Sequence, residues 1–327
     1  MLIPIVFPSA GAIWLNFDVQ NIGNKLLRTT DLPAQYDLLS DKEIIQELLA
    51  KYDLPAPLKL LSPNAAARRD NKLISCIARA KGYPASAFLE LESFRAESGD
   101  VCRVLLASPE LCFLQAASQL SFYETIKFGY DLCAMYRLDG FAEYGQRTRI
   151  PATSVRSITR FLDRAGKIYG VAEARHAVKY ILDCSNSPME TMLAILETLS
   201  FYQGGFSING QELNKEIFLS ERAASVVGRK SVTCDAVWMN ERLVLEYDSN
   251  ETHLTANQHD WDKRKATALA IDGFRVFPVT AGMIRSCSEI EKTFVALRKL
   301  LGKRTDPRQL AAGREKRREL IHFLRGF

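Results

Sequence analysis

The sequence lacks the cysteine patterns that hold metal ions or disulfide frameworks. Its seven cysteines are scattered along the chain, and no Cys-x-x-Cys pair occurs. An odd number of isolated cysteines argues against both a zinc ribbon and a disulfide-stapled fold. Free, mostly buried thiols are typical of a protein in a reducing cytosol. We therefore expect free cysteines and a cytoplasmic location.

Long uninterrupted apolar segments are also missing. The first residues have neither the basic start nor the long apolar core of a signal peptide. An apolar stretch over 105–135 is broken by charged and amide side chains, so we expect no membrane span. The interrupting residues are Glu110, Gln115, Gln119, Glu124, Lys127 and Asp131. The chain also has no internal repeat and no low-complexity tract.

The composition is that of an ordinary globular protein. The chain has 327 residues, of which 47% are hydrophobic and 25% charged, and its formal net charge is +5. This length is sufficient for two domains. The small excess of positive charge permits a nucleic-acid partner without requiring one.

Residues 1–183 are predicted to form a mainly helical α+β region with a recognition or regulatory role. Strands are expected at 2–7 and 103–106. Prolines and asparagines within 53–72 predict a long loop. Helical periodicity and capping residues predict helices at 9–16, 41–52, 108–136 with a break near Ser121, 153–165 and 171–182.

Residues 184–302 are predicted to form a second, α/β domain. Its elements follow the order αβββαβ. The expected ranges are a helix at 187–200, strands at 215–219, 231–238 and 242–248, a helix at 256–272 and a strand at 274–279. A last helix is expected to begin at a cap on Ser288.

Acidic residues interrupt the apolar strands of this domain. Strand periodicity places Val244, Glu246 and Asp248 on one face, and two carboxylates on one face need a neutralising cation or contact with water. Alternation likewise groups Thr233, Asp235 and Val237, and the short turn after Trp238 brings Asp235 near Glu246. Such a cluster of oxygen ligands suits Mg²⁺ or Mn²⁺.

Other candidate residues have two readings each. Glu190 lies three residues after Ser187, so its side chain either closes a capping box on the Ser187 N–H or joins the acidic site. His253 is either a surface residue or a general base or phosphate contact. The run Lys263-Arg264-Lys265 is either a solvated helix face or a phosphate-binding element, with Lys263 or Arg264 as the catalytic cation.

In chain order, these residues resemble the Vsr-like (very-short-patch-repair type) endonuclease family of the PD-(D/E)-x-K superfamily. The matching positions are Ser187-Pro188 with Glu190, Asp235 before Ala-Val-Trp, Glu246-Tyr247-Asp248 with His253, Asp262 with Arg264, and Leu269 with Gly273-Phe-Arg-Val. The resemblance implies a restriction-endonuclease-like fold, a Mg²⁺ (or Mn²⁺) cofactor and hydrolysis of DNA phosphodiesters. It assigns Glu190, Asp235, Glu246 and Asp248 to the acidic site and His253 to an accessory role. The sequence departs from the family at Asp248, where the superfamily has a lysine, and at Ser249, where glycine is common.

The upstream region has a weaker resemblance. The strand at 103–106 followed by Ser108-Pro109-Glu110 resembles bacterial proteins that join such a nuclease-like domain to an upstream region, some of them similar to AbiEi-type antitoxins. Those antitoxins bind DNA through a winged helix, a pattern that residues 1–100 do not show.

Residues 303–327 are predicted to be a basic C-terminal tail. Arg314, Lys316, Arg317 and Arg318 either lie on an amphipathic helix docked on the body or contact the phosphate backbone of DNA. The sequence thus leaves three functions open. The first is a metal-dependent DNA endonuclease in defence, repair or mobile-element biology, and the second is an antitoxin-like DNA-binding regulator with a degenerate nuclease fold. The third is a toxin or partner-binding protein with nuclease output, whose N-terminal region recognises protein. Expected partners are DNA, a second copy of the chain or a toxin–antitoxin partner, and no membrane.

Overall fold

Serine side chains begin many of the helices of this protein. In each case the hydroxyl accepts a hydrogen bond from a backbone N–H in the first turn, which the helix itself leaves unpaired. The serines are Ser108, Ser121, Ser154, Ser187, Ser220 and Ser286. The sequence placed the last of these caps at Ser288, two residues too late.

The computed structural model describes the chain except for residues 18–28, 31, 40, 79–82, 96–98, 143–144, 249–255 and 327. The chain divides into two units, Met1–Ile181 and Leu182–Phe327. The division lies within two residues of the boundary predicted from the sequence. We describe each unit by itself.

The first unit combines a six-stranded mixed sheet with helices. Its strands are β1 Leu2–Ile5, β2 Thr29–Thr30, β3 Leu58–Ser62, β4 Ile74–Ala78, β5 Phe88–Arg95 and β6 Val101–Ala107, with a separate hairpin of β7 Tyr136–Leu138 and β8 Gln146–Thr148. Its helices are α1 Ser9–Asn16, α2 Lys42–Lys51, α3 Pro109–Ala117, α4 Phe122–Cys133, α5 Val155–Arg164 and α6 Val171–Ala177. The order of the large sheet is β2-β5-β6-β1-β3-β4.

The expected mainly helical region therefore contains more sheet than the sequence indicated. Strand β3 falls inside the predicted loop at 53–72. Strands β2, β4, β5, β7 and β8 were not predicted. Strand β5 carries a bulge between Glu90 and Glu92, which shifts the alternation of buried and exposed residues on which strand prediction depends. The helices of the region agree with the prediction, including the break in 108–136 at Ser121.

The second unit is built on a four-stranded sheet of order β12-β11-β10-β9. The strands are β9 Glu212–Phe218, β10 Ser231–Trp238, β11 Leu243–Asp248 and β12 Arg275–Thr280. The first three are antiparallel neighbours, and β12 runs parallel to β11. The helices are α7 Pro188–Thr198, α8 Glu221–Val227, α9 Ala256–Ile271, α10 Cys287–Leu300, α11 Pro307–Ala312 and α12 Arg314–Leu324.

Helices cover both faces of this sheet. On one face, side chains of the strands pack with α8 and α9. The core residues there are Ile217, Ala223, Val227, Val232, Cys234, Val237, Val244, Ala268, Leu269 and Phe274. On the other face, Leu213, Ala236 and Leu245 lie against Leu193 and Ala194 of α7. The observed fold is thus mixed α/β, with the predicted αβββαβ order and one additional helix, α8.

The predicted basic tail is an ordered part of the second unit. Helices α11 and α12 cover most of residues 303–327, and α12 buries Arg317, Leu320, Ile321 and Leu324. Gly313 stands between them because a side chain is impossible there: a Cβ would lie 2.0 Å from the carbonyl oxygen of Phe201. The structure thus shows the docked amphipathic helix of the first reading, and contact between the exposed residues of this segment and DNA stays a prediction.

Candidate functional site

Strands β10 and β11 stop pairing where two carboxylates stand. The last paired residues at this end are Ala236 and Leu245, so Asp235 and Glu246 come next on their strands. The Tyr247 N–H donates to Asp235 Oδ2 at 2.7 Å. A side-chain oxygen thus takes the place of a backbone acceptor in the ladder and ties Asp235 to strand β11 beside Glu246.

Asp235 occupies an irregular position of β10. The sequence predicted that Asp235 and Val237 share one face. In the structure, Cys234 and Val237 both belong to the core on the α9 side, whereas Asp235 and Ala236 line a cavity on the α7 side. That face assignment is therefore wrong, because the alternation shifts between Cys234 and Val237.

Asp235 and Glu246 nevertheless interact, as the sequence predicted. Burial, followed by the charge of Asp235, raises the pKa of Glu246 to about 7, although Lys265 and the Cys234 thiol lower it. Burial also raises the pKa of Asp235, against the lowering effects of the Tyr247 N–H and of Lys265. Both carboxylates are thus poorly solvated and only partly neutralised, which is where a further cation is most favourable.

Lys265 of α9 is the basic group of this cluster. Its Nζ lies 2.7 Å from both carboxylate oxygens of Glu246. It is aligned to donate only to Oε2, and Oε1 has no hydrogen-bond donor among the described residues. Burial lowers the pKa of Lys265, but Glu246 and Asp235 outweigh burial and leave it raised. Lys265 therefore carries a positive charge at neutral pH.

Glu190 lies in the first turn of α7 beside the Ser187 cap, but it does not close the predicted capping box on the Ser187 N–H. The Ser187 hydroxyl caps the helix by accepting the Glu190 N–H at 3.1 Å. The Glu190 carboxylate accepts from the Asn186 N–H at 2.8 Å, one residue before the predicted Ser187 N–H. Glu190 also lines the same cavity as Asp235, and burial, followed by the charge of Asp235, raises the pKa of Glu190.

Asn214 holds Glu190 in place and was not predicted. Its amide Nδ2 donates to Glu190 Oε2 at 2.5 Å and to the Cys184 carbonyl at 2.9 Å. Asn214 has a φ of 47° inside strand β9, a conformation that asparagine tolerates better than most residues. An asparagine within an otherwise strand-like run was the available signal.

Glu197 is a second residue that the sequence analysis missed. It lies two turns after Glu190 on α7, is 1% exposed, and lines the same cavity as Glu190 and Asp235. Burial raises the pKa of Glu197 to about 8, although the Gln211 amide lowers it by donating at 2.7 Å. Its Oε1 has no hydrogen-bond partner among the described residues. Its sequence signal was a glutamate seven residues after Glu190, on an otherwise apolar face of the predicted helix.

One predicted site residue, Asp248, lies elsewhere, and another, His253, is outside the described part of the chain. Asp248 is exposed at the end of β11 and is not among the residues that line the cavity of Glu190 and Asp235. It raises the pKa of the neighbouring Tyr247, after the larger effect of burial. His253 and Ser249 lie outside the described residues.

The cation at the site comes from helix α9, as predicted, but it is Lys265 and not Lys263 or Arg264. Lys263 and Arg264 are exposed, and Arg264 pairs with Asp260 at 2.7 Å. Lys265, which the sequence assigned to DNA contact, points to the acidic cluster instead. The reason is helix geometry: Lys265 shares its face with Trp261 and Leu269, which pack against the sheet.

The basic C-terminal residues also differ in their exposure to solvent. Arg317 is fully buried, pairs with Glu291 at 3.0 Å and lies 4.5 Å from the centre of the Phe206 ring. The predicted phosphate contact by Arg317 is therefore wrong. Arg314 and Lys316 are exposed but paired with Glu291 and Glu319. Arg318 is exposed.

The carboxylates are not already arranged as a metal cage. Among the described residues, no group of three histidine, cysteine, aspartate or glutamate side chains has the spacing of metal ligands. The Lys265 ammonium contacts Glu246, the residue that the sequence analysis predicted to bind a divalent cation. What the arrangement provides is a set of part-buried acids from three elements, Glu190, Asp235 and Glu246, beside the part-buried ammonium group of Lys265.

Comparison with protein-family models, with curated protein sequences and with solved structures gives no match. The resemblance to the Vsr-like family therefore stays a prediction. Among the described helices, none has both the length and the apolar character that crossing a bilayer requires.

Proposed function

We propose that the second unit is a Mg²⁺-dependent DNA endonuclease with a restriction-endonuclease-like fold. One observation carries the proposal: Asp235 and Glu246 stand where two adjacent strands stop pairing, and Lys265 contacts Glu246. Clustered acids beside a lysine are suited to binding a divalent cation and a phosphate together. The αβββαβ order around a mixed sheet supports the same proposal.

The residues present fit a divalent cation. Oε1 of Glu246 is buried and lies 2.7 Å from the Lys265 Nζ, which is not aligned to donate a hydrogen bond to it. Burial also raises the pKa of Glu190, Asp235 and Glu246. A cation that neutralises these oxygens removes an unfavourable burial of charge. Asp235 and Glu246 would hold the ion, and Glu190, fixed by Asn214, would complete its ligands. When bound, Mg²⁺ polarises the phosphodiester and activates water.

The protein's own groups have separate tasks in this proposal. Lys265, held by Glu246, places a positive charge where a phosphate approaches the acidic site. The Tyr247 N–H keeps Asp235 oriented toward Glu246. In the PD-(D/E)-x-K pattern the lysine follows the acid by two residues on the strand; here Asp248 has that position, and Lys265 supplies the charge from the neighbouring helix.

A second function is favoured by one observation. The Lys265 ammonium pairs with Glu246 and neutralises part of the acidic cluster, as expected of a nuclease fold that binds DNA without cutting it. In this alternative the protein is an antitoxin-like DNA-binding regulator. The alternative predicts DNA binding that is independent of divalent cations and of Asp235.

Nicking of supercoiled plasmid in Mg²⁺, Mn²⁺ or EDTA distinguishes the two functions. We expect metal-dependent nicking by the wild-type chain and a loss of about 100-fold or more in Asp235→Asn and in Lys265→Met, because each removes charge stabilisation at the phosphate. Glu241→Gln and Lys263→Met are the matched controls, since both side chains are exposed, and they should cut like the wild type.

Three results would contradict the endonuclease proposal. They are absence of nicking with either metal, nicking that persists in EDTA, and equal activity of Asp235→Asn and the controls. Salt-sensitive DNA binding without nicking, unchanged in Asp235→Asn, would establish the regulator instead. A rise in melting temperature with Mn²⁺ that Asp235→Asn abolishes would support the metal site independently of cleavage.

A further inference from the structure

Helix α5 of the first unit presents one apolar and one basic face. Ile158, Phe161 and Leu162 are buried, and this fixes the rotation of the helix about its axis. Arg156, Arg160 and Arg164 are therefore directed outward, and all three are exposed. We call these three residues the arginine ridge.

The arginine ridge is a regular row of charges. Its members are four residues apart, so successive side chains leave the helix about 6 Å apart along the axis. No hydrogen bond or ion pair joins their guanidinium groups to another described residue. Asp163 is also exposed on α5, three residues after Arg160, but it forms no ion pair with the ridge.

The ridge is unfavourable for the isolated helix. Like charges four residues apart destabilise a helix. Arg156 also lies in the first turn, which holds no acidic residue and where a positive charge opposes the helix dipole. Arg164 is favoured by the helix dipole, since it lies in the last turn, but no ion pair with another described residue neutralises any of the three charges. A polyanionic partner would neutralise all three.

We propose that the arginine ridge binds the phosphate backbone of a nucleic acid. Arginine forms bidentate hydrogen bonds with phosphate, and a row of three can follow consecutive phosphates of one strand. The choice of nucleic acid among polyanions rests on the proposed function of the second unit. The ridge itself depends only on the geometry of the first unit.

A lipid surface fits the same helix less well. Helices that lie on a membrane insert an apolar face between the lipids. The apolar face of α5 is covered by its own unit, and its exposed face bears only arginine, aspartate and hydroxyl side chains, among them Ser157 and Thr159. The ridge therefore offers charge without an insertable apolar surface.

The test measures binding of fluorescent duplex DNA to the full-length chain in EDTA, at several salt concentrations. The variant is Arg156→Gln/Arg160→Gln/Arg164→Gln. The control is Lys42→Gln/Lys72→Gln/Arg95→Gln, which removes the same charge from exposed cations on other elements. We expect the ridge variant to lose about tenfold or more in affinity. The slope of log affinity against log salt should fall by about 1 for each arginine.

Further measurements separate the possible causes. The proposal is overturned if the ridge variant binds DNA as tightly as the control does. It is also overturned if the ridge variant loses binding to phosphatidylserine vesicles but keeps its binding to DNA. Arg156→Lys/Arg160→Lys/Arg164→Lys should retain most of the salt slope, which shows that the loss is not one of folding. Asp235→Asn should bind through the ridge like the wild type, so failure of the nuclease proposal and failure of the ridge are distinguishable.

Discussion

At the scale of single residues, the second unit buries carboxylates more deeply than its proposed chemistry requires. Glu190, Asp235 and Glu246 lie at the site, but Glu197 is almost completely enclosed behind them. The adjoining cavity has a volume of about 10 Å³, roughly the space of one water molecule. The protein therefore keeps an acid in an environment that disfavours its charge.

Glu197 should make the stability of the protein depend on pH. Its pKa is about 8 in the folded chain, against an ordinary value of 4.5. Between pH 4.5 and pH 8 the Glu197 carboxyl keeps its proton in the folded protein and loses it in the unfolded chain. The contribution of Glu197 to stability is therefore complete below pH 4.5 and is lost as the pH rises toward 8, by at most about 1.4 kcal/mol per pH unit.

Urea unfolding of the wild type and of Glu197→Gln from pH 5 to pH 8 checks this expectation. The variant should have a flatter pH profile and should gain stability relative to the wild type as the pH rises. Glu241→Gln, at an exposed position, is the control and should follow the wild-type profile. Parallel profiles for wild type and Glu197→Gln would show that Glu197 is ionised in the folded protein.

At the scale of elements, α12 shows that a basic helix can be structural. Arg317 is enclosed between Glu291 and the ring of Phe206, while Arg318 on the next position is exposed. Two arginines adjacent in sequence thus point to opposite environments, because consecutive residues on a helix differ by about 100° in direction.

This difference predicts different outcomes for two substitutions. Arg317→Met breaks a buried pair and leaves Glu291 with Arg314 only, so we expect a loss of about 3 kcal/mol in the free energy of unfolding. Arg318→Met should change stability by less than about 0.5 kcal/mol. Chemical denaturation of both variants provides the measurement. Equal stability of the two would mean that Arg317 does not anchor α12.

At the scale of the whole molecule, the chain forms two units of different construction. The first contains the six-stranded sheet and the arginine ridge, and the second contains the acidic site. The second unit continues beyond the predicted boundary at residue 302, because α12 supplies Arg317, Leu320 and Leu324 to its core.

The extended boundary is testable with fragments. We expect residues 182–327 expressed alone to unfold cooperatively on heating, since a domain with its own core folds independently. A fragment of residues 182–302 should melt at a lower temperature or lack a cooperative transition, because Phe206 loses its contact with Arg317. Equal melting temperatures for the two fragments would show that residues 303–327 do not stabilise the second unit, as expected of the predicted basic tail.

The sequence alone determined the elements that depend on local chemistry. Ser108, Ser121 and Ser187 marked helix starts, and the alternation in 231–238 and 242–248 defined two strands and the hairpin between them. The acidic residues Asp235 and Glu246 were identified because charges in apolar strands are unusual. Local signals of this kind act over a few residues, so they survive without knowledge of the fold.

The tertiary structure alone decided which side chains meet. Lys265, and not Lys263, contacts the acidic site, and Arg317 is enclosed. Glu197 lies behind the acidic site, and the alternation of side chains between the two sheet faces shifts at Asp235. These outcomes depend on which helix covers which face of the sheet and on where strand pairing stops. Both follow from packing between residues far apart in the chain, which the periodicity of a single segment does not encode.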